Sequence, residues 1–311
     1  MLHSRSATTR FAVPDPRQPW SQGTKIIAAF AVIYLVWGST FLATRIGVLE
    51  MPPLLFAAGR FTIAGALLTS VALVLREPFP RTRREWLHAG LFSILMVPLS
   101  NGLSTIAVRH VPSNEAALLA AGSALWLAGL GAIGPRGHTL SGGSILGLSL
   151  GLAGVVLLVW PQAGAAPGHL GWRALLLFSS MNFAIASIVY RDVQLAVGPM
   201  AFNATIMLLG AVCLAIVGVL TGEPSQWRWS GAGVAAMLYL ALFGSALAYT
   251  SYTWLLKRTP ADRVGTFAYV NPAIATVLGW AVLGEALTGG QLVGVLVILA
   301  GVALVTFPSG R

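Results

Sequence analysis

Residues 112–126, PSNEAALLAAGSALW, have a counterpart near the end of the chain at residues 260–274, PADRVGTFAYVNPAI, at an offset of 148. Residues 152–155 (LAGV) pair with residues 299–302 (LAGV) at an offset of 147, so one gap joins the two registers. Each copy closes a run of five apolar segments, and the chain is therefore predicted to consist of two related halves. Because five is odd, the second half is expected to enter a membrane from the opposite side. Inverted repeats of this kind are typical of transporters.

The composition predicts an integral membrane protein. The mean hydropathy is +0.80, with 56% hydrophobic and 9% charged residues, which leaves too little polar surface for a water-soluble chain of 311 residues. We predict an all-α fold with ten transmembrane helices arranged as two inverted five-helix repeats. Three regions are expected: a disordered cytoplasmic tail over 1–25, a first repeat over 26–161 and a second over 172–307. The predicted spans are 26–45, 53–75, 86–108, 114–134, 144–161, 172–190, 200–220, 231–256, 262–284 and 289–307.

The net charge of +10 is interpreted as a signal for the orientation of the chain in the membrane and not for nucleic-acid binding. With the N-terminus inside, 14 of the 19 basic residues fall on the cytoplasmic side, four fall on the other side, and Arg60 lies within a span. The positive-inside rule then places both termini in the cytoplasm of a bacterial inner membrane. Cys213 is the single cysteine, so neither a disulfide nor a cysteine metal site is expected, and no cofactor is predicted.

The predicted spans contain no deeply placed Asp, Glu, Lys or His. Proton-driven pumps usually need such a group in the membrane interior, so we expect facilitated transport, or coupling through span-end residues such as Glu115 and Glu285. An intramembrane enzyme would need a nucleophile with a base, or metal-binding carboxylates, and the spans supply neither. No glycine-rich loop followed by Lys-Ser/Thr is present, which argues against an ATPase module.

Arg60 lies about seven residues into the second span, roughly 10 Å below its outer end at 1.5 Å per residue. A buried guanidinium needs a partner. One interpretation is that it receives the carboxylate of a substrate, for which its fork of donors is well shaped. The other is structural, with Arg60 bound to backbone carbonyls or reaching outward to the interface.

Two proline-containing spans are predicted to be kinked and to act as hinges. In the ninth span, Pro272 cannot donate to the carbonyl of Ala268, and Asn271 stands beside it. The amide and the freed carbonyl could bind the amino or carboxyl group of a solute, or the amide could bond to a neighbouring helix. Pro98 and Asn101 give the third span a similar pair.

A polar and aromatic stripe along the eighth span consists of Ser245, Tyr249 and Tyr252 at i, i+4 and i+7. The corresponding stripe of the third span includes Asn101, and Trp37 and Tyr269 would extend the same lining. We predict that these residues line a substrate cavity with apolar walls and a few hydrogen-bonding tips. Aromatic stripes also serve packing alone, and that alternative stays open.

Glycines three or four residues apart occur on the fifth span (Gly147, Gly151, Gly154) and, more widely spaced, on the tenth (Gly294, Gly301). Small residues at such spacing let helices approach closely. They predict a scaffold face or a homodimer face.

The order of several short motifs resembles the EamA-type transporters of the drug/metabolite transporter superfamily. They are Trp37-Gly38-Ser39 with Phe41, Pro53 followed by Arg60-Phe61, and Gly284-Glu285 followed by Gly294 and Gly301-Val302. The first half departs from the pattern, with Pro135-Arg136-Gly137 where a Gly-Glu pair is expected. The likeness covers about residues 26–306.

The resemblance implies a central cavity between the first four helices of each half, with the fifth and tenth at the periphery. It also implies export of small organic solutes, and the chain resembles the subgroup that exports aromatic and other apolar amino acids. Alternating access is the expected mechanism. The alternatives are a broad drug or metabolite exporter coupled to protons, a membrane-embedded enzyme, and a purely structural or receptor-like protein. The expected partners are a small-molecule substrate and the lipid bilayer, and a homodimer is left open.

Overall fold

The computed structural model describes residues 21–131, 142–159, 169–259, 264–265, 267–285 and 289–306, and within these ranges the regular structure is helical. Ten helices follow one another in these ranges, and a short 3₁₀ turn, Glu223–Gln226, follows the seventh. The helices are α1 Gln22–Glu50, α2 Pro53–Val74, α3 Arg83–Val108, α4 Ser113–Gly131, α5 Gly142–Val159, α6 His169–Asp192, α7 Pro199–Leu220, α8 Gly231–Leu256, α9 Phe267–Leu283 and α10 Gly289–Thr306.

Six of these helices are long and apolar enough to cross a membrane within the described ranges: α1, α2, α3, α6, α7 and α8. Shorter apolar stretches lie in the helices α5, α9 and α10. The all-helical prediction is therefore confirmed for the described part of the chain, together with its multi-pass character.

The first helix begins at Gln22, four residues earlier than the predicted span. The Ser21 hydroxyl accepts a hydrogen bond from the backbone N–H of Thr24 at 3.2 Å, which caps the helix. The part of the predicted tail before residue 21 lies outside the described residues.

Two helices contain a π-helical segment near their middle. In α3 it runs over Val97–Gly102 and contains Pro98, and in α8 it runs over Leu240–Leu247. A π segment inserts an extra residue into the turn and changes the direction of the side chains that follow. The two segments overlap in the register of the sequence repeat, because residue 97 corresponds to residue 245.

Helix packing follows the division into two sets of five. The pairs α4–α6 and α1–α9 correspond when each helix number is moved by five, and so do α3–α7 and α2–α8. The pairs α2–α7, α4–α9 and α5–α10 map onto themselves.

One carboxylate from each half of the chain caps the start of a helix in the other half. Glu77 follows α2 and accepts hydrogen bonds from the backbone N–H groups of Met200 (2.9 Å) and Ala201 (3.0 Å) at the start of α7. Glu223 follows α7 and accepts from Leu54 (3.0 Å) and Leu55 (2.7 Å) at the start of α2. Donors and acceptors both differ by 146 residues (223 − 77 and 200 − 54). Each anion also faces the positive end of the helix that it caps.

The glycines of α5 and α10 face each other inside the chain. A Cβ added at Gly301 would overlap the backbone of Gly151 and the carbonyl of Gly147. These glycines therefore serve the close contact between the two helices, which was predicted as a scaffold or dimer face. A homodimer stays a prediction, because the glycine pattern is accounted for within one chain.

Candidate functional site

A cavity of about 120 Å³ lies at the centre of the bundle. Helices α1, α3, α4, α6 and α9 supply most of its wall, and α2 and α8 supply one residue each. The lining residues are Trp37, Thr40, Phe41, Thr44, Arg60, Ser100, Asn101, Ser104, Thr105, Val108, Ala117, Ala120, Ala121, Ser123, Ser179, Ser180, Phe183, Tyr249, Phe267, Ala268, Asn271 and Pro272.

Trp37 forms the centre of an aromatic cluster at one side of the cavity. Its ring centroid lies 5.3 Å from Tyr249 and 5.3 Å from Phe267 in edge arrangements, and 5.0 Å from Tyr252. Phe183 completes the cluster at 5.9 Å. The indole N–H donates to the carbonyl of Gly244 at 3.1 Å, which fixes the ring against α8. Such edge contacts give the cavity a rigid apolar wall.

Arg60 is buried and reaches the cavity from α2. Its Nε donates to the Ser245 hydroxyl at 2.8 Å, and this is its only hydrogen bond among the described residues. No carboxylate within the described residues forms an ion pair with it. The guanidinium thus contributes an unneutralised positive charge to the cavity, which is costly in a region of low dielectric constant.

Asn101 and Tyr249 join the two halves of the chain at the cavity wall. The Nδ2 of Asn101 donates to the Tyr249 hydroxyl at 2.5 Å and to the carbonyl of Met96 at 2.7 Å. The second bond spans five residues, which suits the π segment of α3. The Asn101 amide therefore donates to the backbone of α3 and to a side chain of α8 at the same time.

Pro272 of α9 faces the cavity together with Ala268. Because proline has no backbone N–H, the carbonyl of Ala268 lacks its usual helical donor. Pro272, Asn271 and Ala268 all line the cavity. In the orientation that satisfies its surroundings, the Asn271 amide donates to the carbonyls of Phe267 (3.2 Å) and Tyr34 (3.1 Å). In this orientation its bond to Tyr34 joins α9 to α1, and the amide borders the cavity.

The sequence predictions missed most of the hydroxyl groups around the cavity. Ser179 donates to the carbonyl of Ser100 at 2.7 Å, and Thr105 donates to that of Asn101 at 2.7 Å. The missed serine and threonine residues lie on four helices, so no stripe along a single helix marks them together. The hydroxyl-bearing lining residues are Thr40, Thr44, Ser100, Ser104, Thr105, Ser123, Ser179, Ser180 and Tyr249.

Two of the predicted cavity residues lie off the cavity wall. Ser245 and Tyr252 point inward and are fully buried, but they do not line the cavity. Arg60 covers Ser245, while Tyr252 lies behind Trp37 and donates to the Ser187 hydroxyl at 2.8 Å. The predicted hinge Pro98 sits in the π segment of α3 and not on the cavity wall. The side chain of Tyr269 lies outside the described residues.

The two span-end acids are both engaged by protein groups. Glu115 of α4 and Arg173 of α6 form a buried ion pair. Glu285 accepts from the backbone N–H and the hydroxyl of Ser113, each at 2.8 Å, and from the N–H of Asn114 at 3.1 Å. Neither acid belongs to the cavity lining. The corresponding segment of the first half, with Pro135-Arg136-Gly137, lies outside the described residues.

The family model described as "EamA-like transporter family" matches this chain twice, over residues 24–160 and again over residues 170–307. The chain belongs to the EamA-like transporter family. The resemblance read from the sequence motifs is thereby confirmed at the level of the family.

Relatives of this transporter carry consistent names. It is 34% identical over 283 residues to "Uncharacterized inner membrane transporter YedA" of Escherichia coli strain K12, covering 90% of each chain. It is 28% identical to "Uncharacterized transporter YvbV" of Bacillus subtilis strain 168, covering 92% of each. A solved structure described as "Crystal structure of protein" is 25% identical with a TM-score of 0.67, covering 92% of this chain and 98% of that one. The transporter is thus a multi-pass membrane protein whose fold has an experimental parallel.

Proposed function

We propose that this transporter exports amino acids, with aromatic and other apolar ones favoured, together with related small metabolites. It acts as a facilitative carrier in a bacterial inner membrane, with both termini in the cytoplasm. The observation that carries the substrate class is Arg60, a buried cation on the cavity wall whose described surroundings contain no carboxylate partner.

The carboxylate of an amino acid would supply the negative charge that neutralises Arg60. Ser245 holds Nε, which leaves the terminal nitrogens of the guanidinium as donors for a ligand in the cavity. Two parallel N–H···O bonds to a carboxylate suit this planar group. A polyanion such as a sugar nucleotide would call for several cations, and Arg60 is the only formally charged residue among the described lining residues.

The remaining wall fits the other parts of a zwitterion. The carbonyl of Ala268, which lacks its helical donor because of Pro272, and the surrounding hydroxyl oxygens offer acceptors for an ammonium group. Trp37 and Phe183 offer an apolar surface for the side chain. The volume of about 120 Å³ is close to the roughly 150 Å³ of a protein cavity that holds benzene, which limits the apolar side chain to about one ring or one branched aliphatic group.

Facilitated transport is supported by the chemistry of the lining. Among the described lining residues there is no Asp, Glu or His to carry a proton. Glu115 and Glu285, the acids considered for coupling, are held by Arg173 and by the start of α4. A proton-coupled drug exporter would need an acidic group in the cavity.

Alternating access is supported by the duplicated chain and by the one-sided cavity. The helix pairs exchange when helix numbers move by five, as expected for two related halves. We infer that the two repeats are inverted, because each contains an odd number of helices. The cavity extends toward Thr44 and Val108, near the ends of α1 and α3, and the Trp37 cluster bounds it on the other side. In the proposed orientation this state opens outward, and Pro98 and Pro272 are the hinges.

The test is exchange by purified protein in liposomes. Radiolabelled phenylalanine, leucine, alanine, lysine and glucose are supplied with and without a proton gradient, to wild type, Arg60→Gln and Arg228→Gln. Arg228 is exposed and outside the cavity, so it controls for the loss of one arginine. We expect saturable exchange of phenylalanine and leucine without a gradient, at least tenfold slower in Arg60→Gln and unchanged in Arg228→Gln. Exchange of no amino acid by wild type, or strict dependence on the gradient, would contradict the proposal.

A further inference from the structure

A second and larger cavity, of about 480 Å³, lies at the end of the bundle where α6 and α8 end and where α3 and α7 begin. It is separate from the central cavity, because the two share no lining residue. The lining residues are Phe92, Tyr190, Arg191, Val193, Gln194, Leu195, Val197, Phe202, Leu256 and Lys257.

Two cations stand on the wall of this cavity. Lys257 donates from Nζ to the carbonyls of Tyr190 (3.0 Å) and Val193 (2.8 Å), and its ammonium lies 4.7 Å from the centroid of the Tyr190 ring. These contacts hold the ammonium at the end of α6, where Arg191 directly follows Tyr190 in the sequence. No acidic residue is among the lining residues that the structure describes.

The deeper part of the cavity is apolar and aromatic. Phe92 lies in edge contact with Tyr190 and with Phe202, at 5.5 Å in each case, and both phenylalanine side chains are buried. Leu256 and Val197 complete this part. A ligand that fits the whole cavity therefore has an anionic end and an adjoining apolar part.

The residues at the matching place in the first repeat are buried. At the offset of 146 defined by the two capping glutamates, Val197 corresponds to Met51, Phe202 to Phe56 and Gln194 to Val48. Met51, Phe56 and Val48 are each at most 1% exposed. Helix α1 continues to Glu50 there, whereas α6 ends at Asp192 and an irregular segment follows. The segment that follows α6 thus departs from its counterpart in the first repeat, and this segment supplies part of the cavity wall.

The surroundings point to the membrane interface as the source of the ligand. This end of the bundle is strongly basic among the described residues, while the opposite end carries equal numbers of basic and acidic residues. The described basic residues at this end are Lys25, Arg76, Arg81, Arg83, Arg84, Arg191, Lys257 and Arg258, and the acidic ones are Glu77, Glu85 and Asp192.

We propose that the cavity between Arg191 and Lys257 binds the phosphate group of an anionic phospholipid, with the glycerol and the first acyl carbons over Phe92 and Phe202. Basic pockets between membrane helices recognise lipid headgroups by this combination of charge and apolar surface. A lipid bound here joins the ends of α6 and α8 to the starts of α3 and α7, and so stabilises this end of the bundle.

The experiment measures lipid retention by native mass spectrometry of delipidated full-length protein. Phosphatidylglycerol, phosphatidylcholine and inorganic phosphate are added to wild type, Arg191→Gln, Arg191→Gln/Lys257→Gln and Arg83→Gln/Arg84→Gln. The last variant removes two exposed charges from the same end without touching the cavity. We expect wild type and this control to bind phosphatidylglycerol in preference to phosphatidylcholine. We expect binding about tenfold weaker in the cavity double variant and an intermediate loss in Arg191→Gln.

Three results would overturn the inference. One is equal loss in the cavity variant and in the Arg83→Gln/Arg84→Gln control, which would mean general surface charge. Another is equal binding of both lipids by wild type. The third is displacement of phosphatidylglycerol by millimolar inorganic phosphate with no lipid preference, which would make a free phosphate ion the occupant. Arg191→Gln keeps the Lys257 contacts with α6, so its binding remains informative if the double variant does not fold.

Discussion

Asn101 and Tyr249 correspond to each other in the two repeats, 148 residues apart, and they are joined by a hydrogen bond of 2.5 Å at the wall of the central cavity. Corresponding residues of two repeats touch only near the axis that relates the repeats. The pair therefore marks the place where α3 and α8 meet. In the proposed mechanism it is a contact between the two halves that move relative to each other.

We expect a double-mutant cycle on this pair to show a favourable coupling of about 0.6 kcal/mol, the average for hydrogen bonds inside a membrane protein, and of no more than about 1.7 kcal/mol. The cycle uses Asn101→Ala, Tyr249→Phe and both together, with unfolding in mixed micelles as the measurement. Asn101→Ala also frees the carbonyl of Met96, and the cycle subtracts that effect. Strict additivity of the two substitutions would show that the bond contributes nothing to this state.

The reciprocal caps Glu77 and Glu223 are expected to have equal weight. Each carboxylate accepts two backbone N–H groups at a helix start. Glu77→Gln and Glu223→Gln should each destabilise the protein by about 1 kcal/mol, because a charge at the positive end of a helix is lost. Glu50→Gln is the control, since Glu50 is exposed at the end of α1. A thermal unfolding midpoint that falls no further in the cap variants than in Glu50→Gln would refute this account of the caps.

The buried pair of Glu115 and Arg173 should behave as a unit. Removing one partner leaves an uncompensated charge, so Glu115→Gln or Arg173→Met alone should cost about 3–5 kcal/mol. Replacing both, as Glu115→Leu/Arg173→Met, should recover most of the loss because no buried charge remains. Unfolding measurements on the three variants test this, and a double variant less stable than both singles would contradict it.

A glycine in the contact between α5 and α10 should be more sensitive to substitution than a glycine with open space beside it. Gly301→Ala should lower the unfolding midpoint by several degrees, because its Cβ meets backbone that cannot move aside. Gly90→Ala on α3 meets nothing within 4 Å and should leave stability unchanged or raise it by up to about 1 kcal/mol. Equal midpoints for the two variants would show that the close contact does not limit packing.

The sequence predicted the helices and part of the cavity because both depend on local properties. Apolar length marked the spans, and a lone arginine, an Asn-Pro pair and a polar stripe marked Arg60, Asn271 and Asn101. Ser245 and Tyr252 share the face of Tyr249, yet Arg60 and Trp37 cover them, and such covering depends on other helices. The hydroxyl wall could not be predicted, because its members meet only after several helices pack.

Two features went beyond the sequence motifs for a similar reason. The caps by Glu77 and Glu223 lie at the ends of distant helices, and residues at span ends look alike whether they face solvent or cap a neighbour. The cavity beside Arg191 and Lys257 is lined in part by the segment after α6, which departs from its counterpart. Neither is visible as a spacing along the chain.

The central claim, that the cavity with Arg60 binds the carboxylate of an apolar amino acid, is tested most directly by competition. Exchange of labelled phenylalanine in liposomes is measured against unlabelled phenylalanine, phenylalanine amide and phenethylamine, with wild type and Arg60→Gln. The account predicts that only the compound with a carboxylate competes well with wild type, and that this advantage disappears in Arg60→Gln. Equal competition by the amide and the amino acid in wild type would contradict it.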